Sequence, residues 1–377
     1  MNDNTNNKIS LSIAIPTWNR APRLEKLLDS ILFQTKELKG EVEICVSDNN
    51  SSDNTMEIVT GFQKKYPGLI NYNKNKENIG AERNMLLLME MAKGDFIWLM
   101  GDDDLITSNG LNEVINFIKK NKEEKIGLIV VKLESYFINK STGQKIIFGN
   151  SFDKDKPEIF KIDKKDIIGL NFPEIAFISV LIFNNRLLSK IMMEDRVLIE
   201  QGIGTKHIHM ILFALMFLKY PELDGIVFNK VVVNQELPQY KYFIEDKFIL
   251  HYQVQKELNN LLLSNKYMNN DYAPLIIQRD KELKWCFIAD MMVMRAFKTF
   301  NYFSYFGCLK LFFHNATFID MLLFSFVFSI LFLTPSIILR SLYKGLLIIR
   351  HGKKWKTKWN IASKAFCWLS RGVIRRV

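Results

Sequence analysis

Apolar strands and amphipathic helices alternate through the first 132 residues, and this alternation constrains the fold more than any other feature of the sequence. One helix begins near Pro22, and its apolar residues recur at the spacing of a single helical face: Leu24, Leu27, Leu28, Ile31 and Leu32. Strand–helix alternation of this kind predicts an α/β fold with a parallel sheet. The predicted strands lie at 11–15, 41–47, 69–72, 96–100 and 126–131, and the later helices at about 53–66, 81–92 and 111–120.

Beyond residue 132 the pattern is less regular. We expect a hairpin over 135–148 that turns at 139–143, and a strand over 174–183. An apolar helix is predicted at 207–218 and a further strand at 225–233. The sequence from about 242 to 318 is predicted to be helical. These patterns favour one domain over 1–240, a helical extension over 241–318 and a separate terminal segment over 319–377.

The positive charge of the chain is concentrated at its C-terminal end. Eleven of the 51 Lys and Arg residues, and none of the 40 Asp and Glu residues, lie in 340–377, so the remainder of the chain is balanced. A basic segment of this size could bind nucleic acid, but it adjoins a long apolar stretch. We therefore expect no nucleic-acid partner.

Cysteine spacing and the N-terminus indicate the compartment. The four cysteines lie far apart and form no CxxC pair, which favours neither a zinc site nor a disulfide framework and fits a reducing environment. The N-terminal MNDNTNNK is polar, so we expect no signal peptide. We expect the first domain to stay in the cytoplasm.

Three of the predicted strands are followed by clusters of polar residues. The clusters are Thr17–Arg20 in PTWNR, the SDNNSSD segment at 47–53, and GDDD at 101–104. Each one could be an ordinary turn, because Asp, Asn, Ser and Gly dominate turns for local reasons. Ligands of open parallel sheets, however, bind at the carboxyl ends of the strands, where these clusters are expected to lie.

The triple aspartate is the most informative of these clusters. Adjacent carboxylates repel one another, and a hard divalent cation such as Mg²⁺ or Mn²⁺ relieves that repulsion. Asp102 and Asp104 are predicted to hold the metal, with Asp103 turned towards sugar or ribose hydroxyls. The alternative is an acidic helix start before Leu111.

The segments IAIPTWNR, VSDNNSSDNT and ENIGAERNMLLLMEMAKGDFIWLMGDDDL resemble the successive signatures of the family 2 glycosyltransferases of GT-A fold. The resemblance covers about 9–135, with the segments in the same order and at the same spacing. It implies a GT-A domain over 1–240, in which 1–132 binds a nucleotide-sugar donor and 133–240 binds the acceptor.

The resemblance also implies functional residues. The metal would be held by Asp102 and Asp104, although the family usually has an acidic residue where this chain has Met100, which leaves open which aspartates bind it. The donor-binding residues would be Pro16, Thr17, Asn19, Arg20, Asp48, Asn50, Asn78, Gly80, Arg83, Asn84, Asp102 and Asp103.

An inverting transfer needs a general base that removes the proton of the acceptor hydroxyl. Similar enzymes use an acidic residue at the start of a helix. The pair Glu194-Asp195 occurs in a poorly matching context, whereas GIGTKHIHMILFAL matches the helix better and offers His209 and His207 but no carboxylate. His209 and Asp195 are the candidate catalytic residues, and a packed core histidine is the alternative for His209.

The segment 319–339 is mostly apolar and contains one acidic residue, Asp320, and a stretch of about twenty such residues is long enough to span a bilayer. A single span would place the basic end across the membrane, against the positive-inside tendency. A re-entrant hairpin broken near Pro335 or an interfacial helix is therefore preferred, with 319–377 associating with anionic lipid at the cytoplasmic face of the inner membrane. This location suits a saccharide acceptor linked to polyprenyl diphosphate. A buried helix of a soluble domain is the alternative.

The leading hypothesis is an inverting, metal-dependent glycosyltransferase of bacterial surface-polysaccharide synthesis. A nucleotidyltransferase would typically need a glycine-rich loop after the first strand, and IPTWNRAP contains no glycine. A catalytically degenerate membrane scaffold or sugar-binding protein is the third reading, which the missing acidic base keeps open. The chain has neither the GxGxxG motif of dehydrogenases nor the GxxxxGK[ST] motif of P-loop proteins after a strand, so neither class is expected.

Overall fold

The structure is a computed structural model that describes residues 8–38, 40–121, 125–138, 144–150, 156–168, 177–205, 207–236, 259–268 and 271–277, together with Ile338 and Ser341. One compact unit comprises 1–237 and 258–276, and a second comprises 238–257 and 277–377. Most of the predicted extension at 241–318, nearly all of the predicted membrane segment at 319–377 and the predicted turn at 139–143 lie outside the described residues. Within the part that is described, no helix has the length and apolar character needed to cross a membrane.

The described elements follow the predicted alternation through residue 132. The helices are α1 (Ala21–Thr35), α2 (Thr55–Lys65), α3 (Ala81–Met91), α4 (Gly110–Lys120), α5 (Lys164–Ile168), α6 (Asn185–Glu194), α7 (Arg196–Gln201) and α8 (Ile208–Lys219). The strands are β1 (Leu11–Thr17), β2 (Val42–Asp48), β3 (Ile70–Lys74), β4 (Phe96–Leu99), β5 (Asp104–Ile106), β6 (Ile126–Ile138), β7 (Lys145–Asn150), β8 (Ile159–Ile162), β9 (Leu181–Asn184) and β10 (Asp224–Glu236).

The strands of the described residues form one mixed sheet in the order β3-β2-β1-β4-β9-β6-β10-β5, with β7 paired to β6 and β8 to β10. The neighbours β3-β2, β2-β1, β1-β4 and β6-β10 are parallel. The prediction of a mostly parallel sheet is therefore correct for the first half only. In the second half β9 inserts between β4 and β6 and runs antiparallel to both. Burial of its apolar residues does not depend on the direction of the strand, so the apolar pattern did not predict this orientation.

Burial explains the regular half of the fold. All strand positions of β2 are buried, and β1 is buried except at Pro16, as expected of central strands covered by helices on both faces. Helix α1 buries the apolar face that its sequence predicts, with a proline in its first turn. Gln34 at its far end is also buried, and it accepts a hydrogen bond from Leu111 N and donates one to Thr107 O, which fixes α1 against the start of α4.

Two elements differ from their predicted form. The strand expected over 174–183 is a 3₁₀ turn at Ile178–Val180 followed by the four residues of β9, and 174–176 lie outside the described residues. Asp104 does not remain in a loop, because it begins the short strand β5, which pairs with Gln235 at the end of β10. The hairpin partners are confirmed as β6 and β7, which pair from Glu134 with Asn150 to Ile138 with Lys145.

Candidate active site

The strand order places β1 at a topological switch point. From β1 the chain proceeds outward through β2 to β3 and then returns to the opposite side of β1 as β4. In open α/β sheets, the crevice outside the carboxyl ends of the strands at such a point is where ligands bind. The loops that follow β1 and β4 therefore border the candidate site, and the loop that follows β2 lies beside it.

The loops after β1 and β2 are locked together. Asn19 Oδ1 accepts a hydrogen bond from Ser52 N at 2.8 Å, and Asn19 N donates to Ser51 Oγ at 2.9 Å. Asn19 and Asn50 both have positive φ angles, 52° and 64°. Asparagine tolerates this left-handed conformation better than most residues, and such backbone conformations cluster at ligand sites.

Asp48, one of the predicted donor-binding residues, is fully buried at the end of β2. Its Oδ1 accepts a hydrogen bond from Ser51 N at 2.7 Å, and its Oδ2 accepts one from the Tyr72 hydroxyl at 2.8 Å. Burial, followed by the hydrogen bond to Asp48, raises the pKa of Tyr72. Asp48 thus stabilises the loop after β2. Each of its carboxylate oxygens already accepts one hydrogen bond, so a ligand would contact Asp48 by donating another one.

The residues 101–104, which we call the acidic turn, face the first turn of α1. Asp102 Oδ2 accepts a hydrogen bond from Thr17 Oγ1 at 2.8 Å, and Asp102 Oδ1 lies 2.8 Å from Arg20 Nη1. The same Arg20 nitrogen lies 3.0 Å from Asp103 Oδ2, which also receives Arg23 Nη1 at 3.1 Å. Two arginines therefore neutralise two carboxylates at the switch point.

Burial governs the protonation of these carboxyls. It raises the pKa of Asp102, and the Arg20 charge and the Thr17 hydrogen bond oppose that rise only in part. Asp104 lies on the other side of the turn, where its Oδ2 accepts the Ser179 hydroxyl proton at 2.5 Å. Burial raises the pKa of Asp104 to about 7, against the opposing hydrogen bond from Ser179.

The two central carboxylates of the acidic turn lie close enough to share one divalent cation. Asp102 Oδ1 and Asp103 Oδ2 both lie within 3.0 Å of Arg20 Nη1, so a single positive centre already bridges them. Mg²⁺ is usually bound by one or two carboxylates together with substrate phosphates and water. The described part of the chain contains no cluster of three His, Cys, Asp or Glu side chains that could hold a metal alone. Asp102 and Asp103 could hold the cation at the position of the Arg20 guanidinium. Metal binding by Asp104 stays a prediction.

The predicted donor-binding residues near α3 form two groups, one that contacts β2 and its loop and one that contacts α7. Asn84 is buried, accepts the Ser47 hydroxyl at 2.7 Å and donates to Ser47 O at 2.9 Å. Asn78 Oδ1 accepts from Asn49 Nδ2 and from the backbone nitrogen of Gly80, whose φ of 86° suits glycine. These three residues shape the wall beside β2.

Arg83 belongs to the second group. Its guanidinium binds both carboxylate oxygens of Glu200 on α7, at 2.9 and 3.3 Å. The neighbouring Glu82 accepts hydrogen bonds from Gly204 N and, at 3.4 Å, from Thr205 Oγ1. The start of α3 is thereby joined to the segment that leads into α8.

The two predicted catalytic residues have different surroundings. His209 is buried in the first turn of α8, with its ring 5.3 Å from that of His207. Asp195 lies between α6 and α7, where it contacts Lys219 Nζ at 2.6 Å and the Tyr267 hydroxyl at 3.1 Å. Burial alone would raise the pKa of Asp195, but the hydrogen bonds from Lys219 and Tyr267 outweigh it and lower the pKa.

Sequence reasoning missed Arg23, Tyr72 and Ser179 as residues of the site. Arg23 was visible one helical turn after Arg20, and i,i+3 neighbours share a helix face. Tyr72 occupies a strand position next to the end of β2, which only the pairing of β2 with β3 reveals. Ser179 lies 75 positions from Asp104 and carries no local signal.

Comparison with known proteins agrees with this arrangement. The sequence model of Glycosyl transferase family 2 matches residues 12–174, which include both the acidic turn and the loops after β1 and β2. The match places this part of the chain, which is less than half of its length, in resemblance to glycosyl transferase family 2. The resemblance expected from the sequence motifs is thereby confirmed.

Two curated relatives come from bacteria. The chain is 31% identical over 153 residues to the abequosyltransferase RfbV of Salmonella typhimurium, covering 38% of this chain and 46% of the relative. It is 31% identical over 167 residues to the GalNAc(5)-diNAcBac-PP-undecaprenol beta-1,3-glucosyltransferase of Campylobacter jejuni, covering 43% and 48% of the two chains. The alignments span about half the length of these relatives.

A solved structure supports the fold over a longer range. The mannosyltransferase PcManGT from Pyrobaculum calidifontis, in complex with GDP-Man and Mn²⁺, superposes with a TM-score of 0.51 at 13% identity, covering 98% of this chain and 87% of that one. At this identity the likeness concerns the fold alone, a GT-A-like mixed sheet with helices on both sides.

Proposed function

We propose that the protein is an inverting, metal-dependent glycosyltransferase that moves a sugar from a nucleotide-sugar donor to a saccharide acceptor in bacterial surface-polysaccharide synthesis. The observation that carries the proposal is the pair of carboxylates, Asp102 and Asp103, bridged by Arg20 at the switch point beside β1. The match of residues 12–174 to the model of glycosyl transferase family 2 and the similarity to bacterial sugar transferases support it.

The site suits a diphosphate leaving group. Breaking the bond between the sugar and the nucleotide leaves negative charge on the diphosphate, and a Mg²⁺ or Mn²⁺ ion held by Asp102 and Asp103 would supply Lewis-acid neutralisation of that charge. Arg20, which immediately precedes α1, and Arg23 on its first turn are half exposed and add two further positive groups within reach of the same place. Preorganised charge of this kind is usually the largest single contribution to catalysis.

The acceptor side needs a general base and an acceptor saccharide. Asp195 has a lowered pKa and is held by Lys219, so it is a poor proton acceptor, and we retain His209 as the proposed base. The relative from Campylobacter jejuni is named for an acceptor linked to undecaprenol through PP, which supports a lipid-linked saccharide as the acceptor here.

Association with the cytoplasmic face of the inner membrane belongs to the same proposal. It rests on the sequence of 319–377, in which an apolar stretch is followed by eleven basic residues and no acidic one. Such a segment would hold the protein where a lipid-linked acceptor is found.

Donor cleavage tests the proposed activity. The full-length protein is incubated with a panel of nucleotide sugars and Mn²⁺ or Mg²⁺, with and without EDTA, and mass spectrometry detects the released nucleoside diphosphate. We expect cleavage of at least one donor that EDTA abolishes and added Mn²⁺ restores. Absence of cleavage across the panel, with an extract of bacterial lipid-linked saccharides present, would contradict the proposal.

A further inference from the structure

Ser179 lies outside every motif of the sequence, yet its side chain contacts the acidic turn directly. It is buried in the 3₁₀ turn Ile178–Val180, immediately before β9. The Trp98 indole Nε1 donates to its carbonyl oxygen at 2.8 Å, which fixes Ser179 against β4. The segment that carries it therefore reaches the carboxyl end of β4 from a distant part of the chain.

The Ser179 hydroxyl joins the two ends of the acidic turn. Its Oγ accepts a hydrogen bond from Gly101 N at 2.9 Å and donates one to Asp104 Oδ2 at 2.5 Å. Gly101 and Asp104 are the first and fourth residues of the turn, and Asp104 N donates to Gly101 O at 3.2 Å. A Cβ atom on Gly101 would lie 3.2 Å from the Ser179 Oγ, so the contact also leaves little room for a larger residue.

We propose that Ser179 is a positioning residue of the donor site, which holds the acidic turn so that Asp102 and Asp103 project towards the first turn of α1. These aspartates are the two central residues of a four-residue turn, and the directions of central side chains follow from the geometry of its ends. Ser179 fixes both ends with a single hydroxyl. This role rests on the proposed function, because the turn is taken to bind the donor.

Ser12 offers a matched control within the same sheet. It is as buried as Ser179, accepts a hydrogen bond from Gly94 N at 2.8 Å and donates one to Glu43 Oε1 at 2.6 Å. Its hydroxyl thus has the same kinds of partner, a glycine amide and a buried carboxylate. Ser12 lies near the start of β1, whereas the acidic turn lies beyond the end of β4. A Ser12→Ala variant therefore measures how much stability is lost when such a hydroxyl is removed at a distance from the site.

The experiment compares Ser179→Ala and Ser12→Ala in the full chain. Hydrogen–deuterium exchange followed by mass spectrometry measures the amides of 101–104, and donor cleavage measures kcat and KM. We expect the melting temperatures of the two variants to fall below that of the wild type by similar amounts. Only Ser179→Ala should speed amide exchange at 101–104, by at least about tenfold, because local opening of the turn is no longer opposed by the hydroxyl.

The kinetic readout separates positioning from general loss of stability. Ser179→Ala should raise the donor KM at least about tenfold, whereas Ser12→Ala should leave it unchanged, and Ser179→Cys, which keeps a weak donor of similar size, should lie between. Unchanged exchange at 101–104 in Ser179→Ala, or equal changes in Ser12→Ala, would overturn the proposal. If the wild type cleaves no donor, the proposed function fails, and the exchange measurement still decides whether Ser179 holds the turn.

Discussion

Arg20 Nη1 lies 2.8 Å from Asp102 Oδ1, across 82 positions of the chain. Half of the arginine side chain is exposed, whereas the Asp102 side chain is 6% exposed. The ion pair therefore covers a buried carboxylate with a group that can move into solvent. Replacing the guanidinium with another positive centre would cost little reorganisation, because Thr17 holds the other Asp102 oxygen in place.

Removal of Arg20 should make stability depend on divalent cations. In Arg20→Gln, Asp102 and Asp103 face each other without a shared positive group, so the melting temperature in EDTA should fall below that of the wild type. Mn²⁺ should raise the melting temperature of Arg20→Gln more than that of the wild type, in which the cation must displace the guanidinium. Differential scanning fluorimetry with and without Mn²⁺ measures this.

Arg23→Gln is the control for that comparison, since Arg23 contacts Asp103 but has no described contact with Asp102. It removes one positive charge from the same helix turn. We expect a smaller Mn²⁺ effect than in Arg20→Gln. Equal Mn²⁺ shifts in the wild type and both variants would show that Arg20 does not occupy the place of the cation.

The carboxylates of the acidic turn should be required for donor cleavage. Asp102→Asn and Asp103→Asn each remove one negative charge from the proposed cation site, and loss of one such electrostatic group typically lowers kcat by about 100-fold to 1,000-fold. Asp224→Asn, which breaks the surface ion pair with Lys161, serves as the control and should keep normal turnover. Wild-type rates in the double variant Asp102→Asn/Asp103→Asn would refute the assignment.

Asp104 should make stability decrease as the pH rises. Its pKa is about 7 in the folded chain, and that of an unfolded Asp is about 3.9. Between these values the folded state binds more protons than the unfolded state, so the contribution of Asp104 is fully present below about pH 4 and is lost towards pH 7. In EDTA, the melting temperature of the wild type should fall more between pH 5 and pH 8 than that of Asp104→Asn. Parallel curves for the two proteins would mean that Asp104 is ionised throughout.

The sequence predicted the first half of the sheet well because its strands and helices have distinct periods. The face of α1 and the buried run of β4 are local patterns, and both occur as expected. The insertion of β9 was not predictable, because three apolar residues followed by an asparagine carry no information about direction or neighbours. Likewise, the strand-end rule predicted that Arg20 and Asp102 would lie at one edge, but the ion pair between them depends on side-chain directions that no spacing encodes.

The two candidate bases should respond differently to substitution. Asp195→Asn breaks the ion pair with Lys219, which keeps its second carboxylate partner, Glu194, at 2.6 Å, so the loss of stability should be about 1–3 kcal/mol. Its turnover per folded molecule should stay near that of the wild type, because the lowered pKa makes Asp195 a poor base. Thermal unfolding and donor-to-acceptor transfer, both measured on the same preparation, separate these effects.

His209→Ala should lower transfer at least about 100-fold if its imidazole is the general base. His207→Ala is the matched control, because its ring packs edge-on against that of His209 but precedes the helix. The donor KM should change little in His209→Ala, since the base acts on the acceptor hydroxyl and not on the donor. Near-normal transfer by His209→Ala would exclude it as the base.

Deletion of 319–377 should move the protein from the membrane fraction to the soluble fraction. The deleted segment carries an apolar stretch and eleven basic residues, which together favour an anionic bilayer surface. A variant in which the basic residues of 340–377 become Gln keeps the apolar stretch and separates the two contributions, because its membrane binding should no longer depend on salt. Ultracentrifugation of lysates at low and high salt measures both proteins. Unchanged membrane sedimentation after the deletion would refute anchoring by this segment, while donor cleavage by the truncated protein should persist, since the acidic turn and Arg20 lie within 1–240.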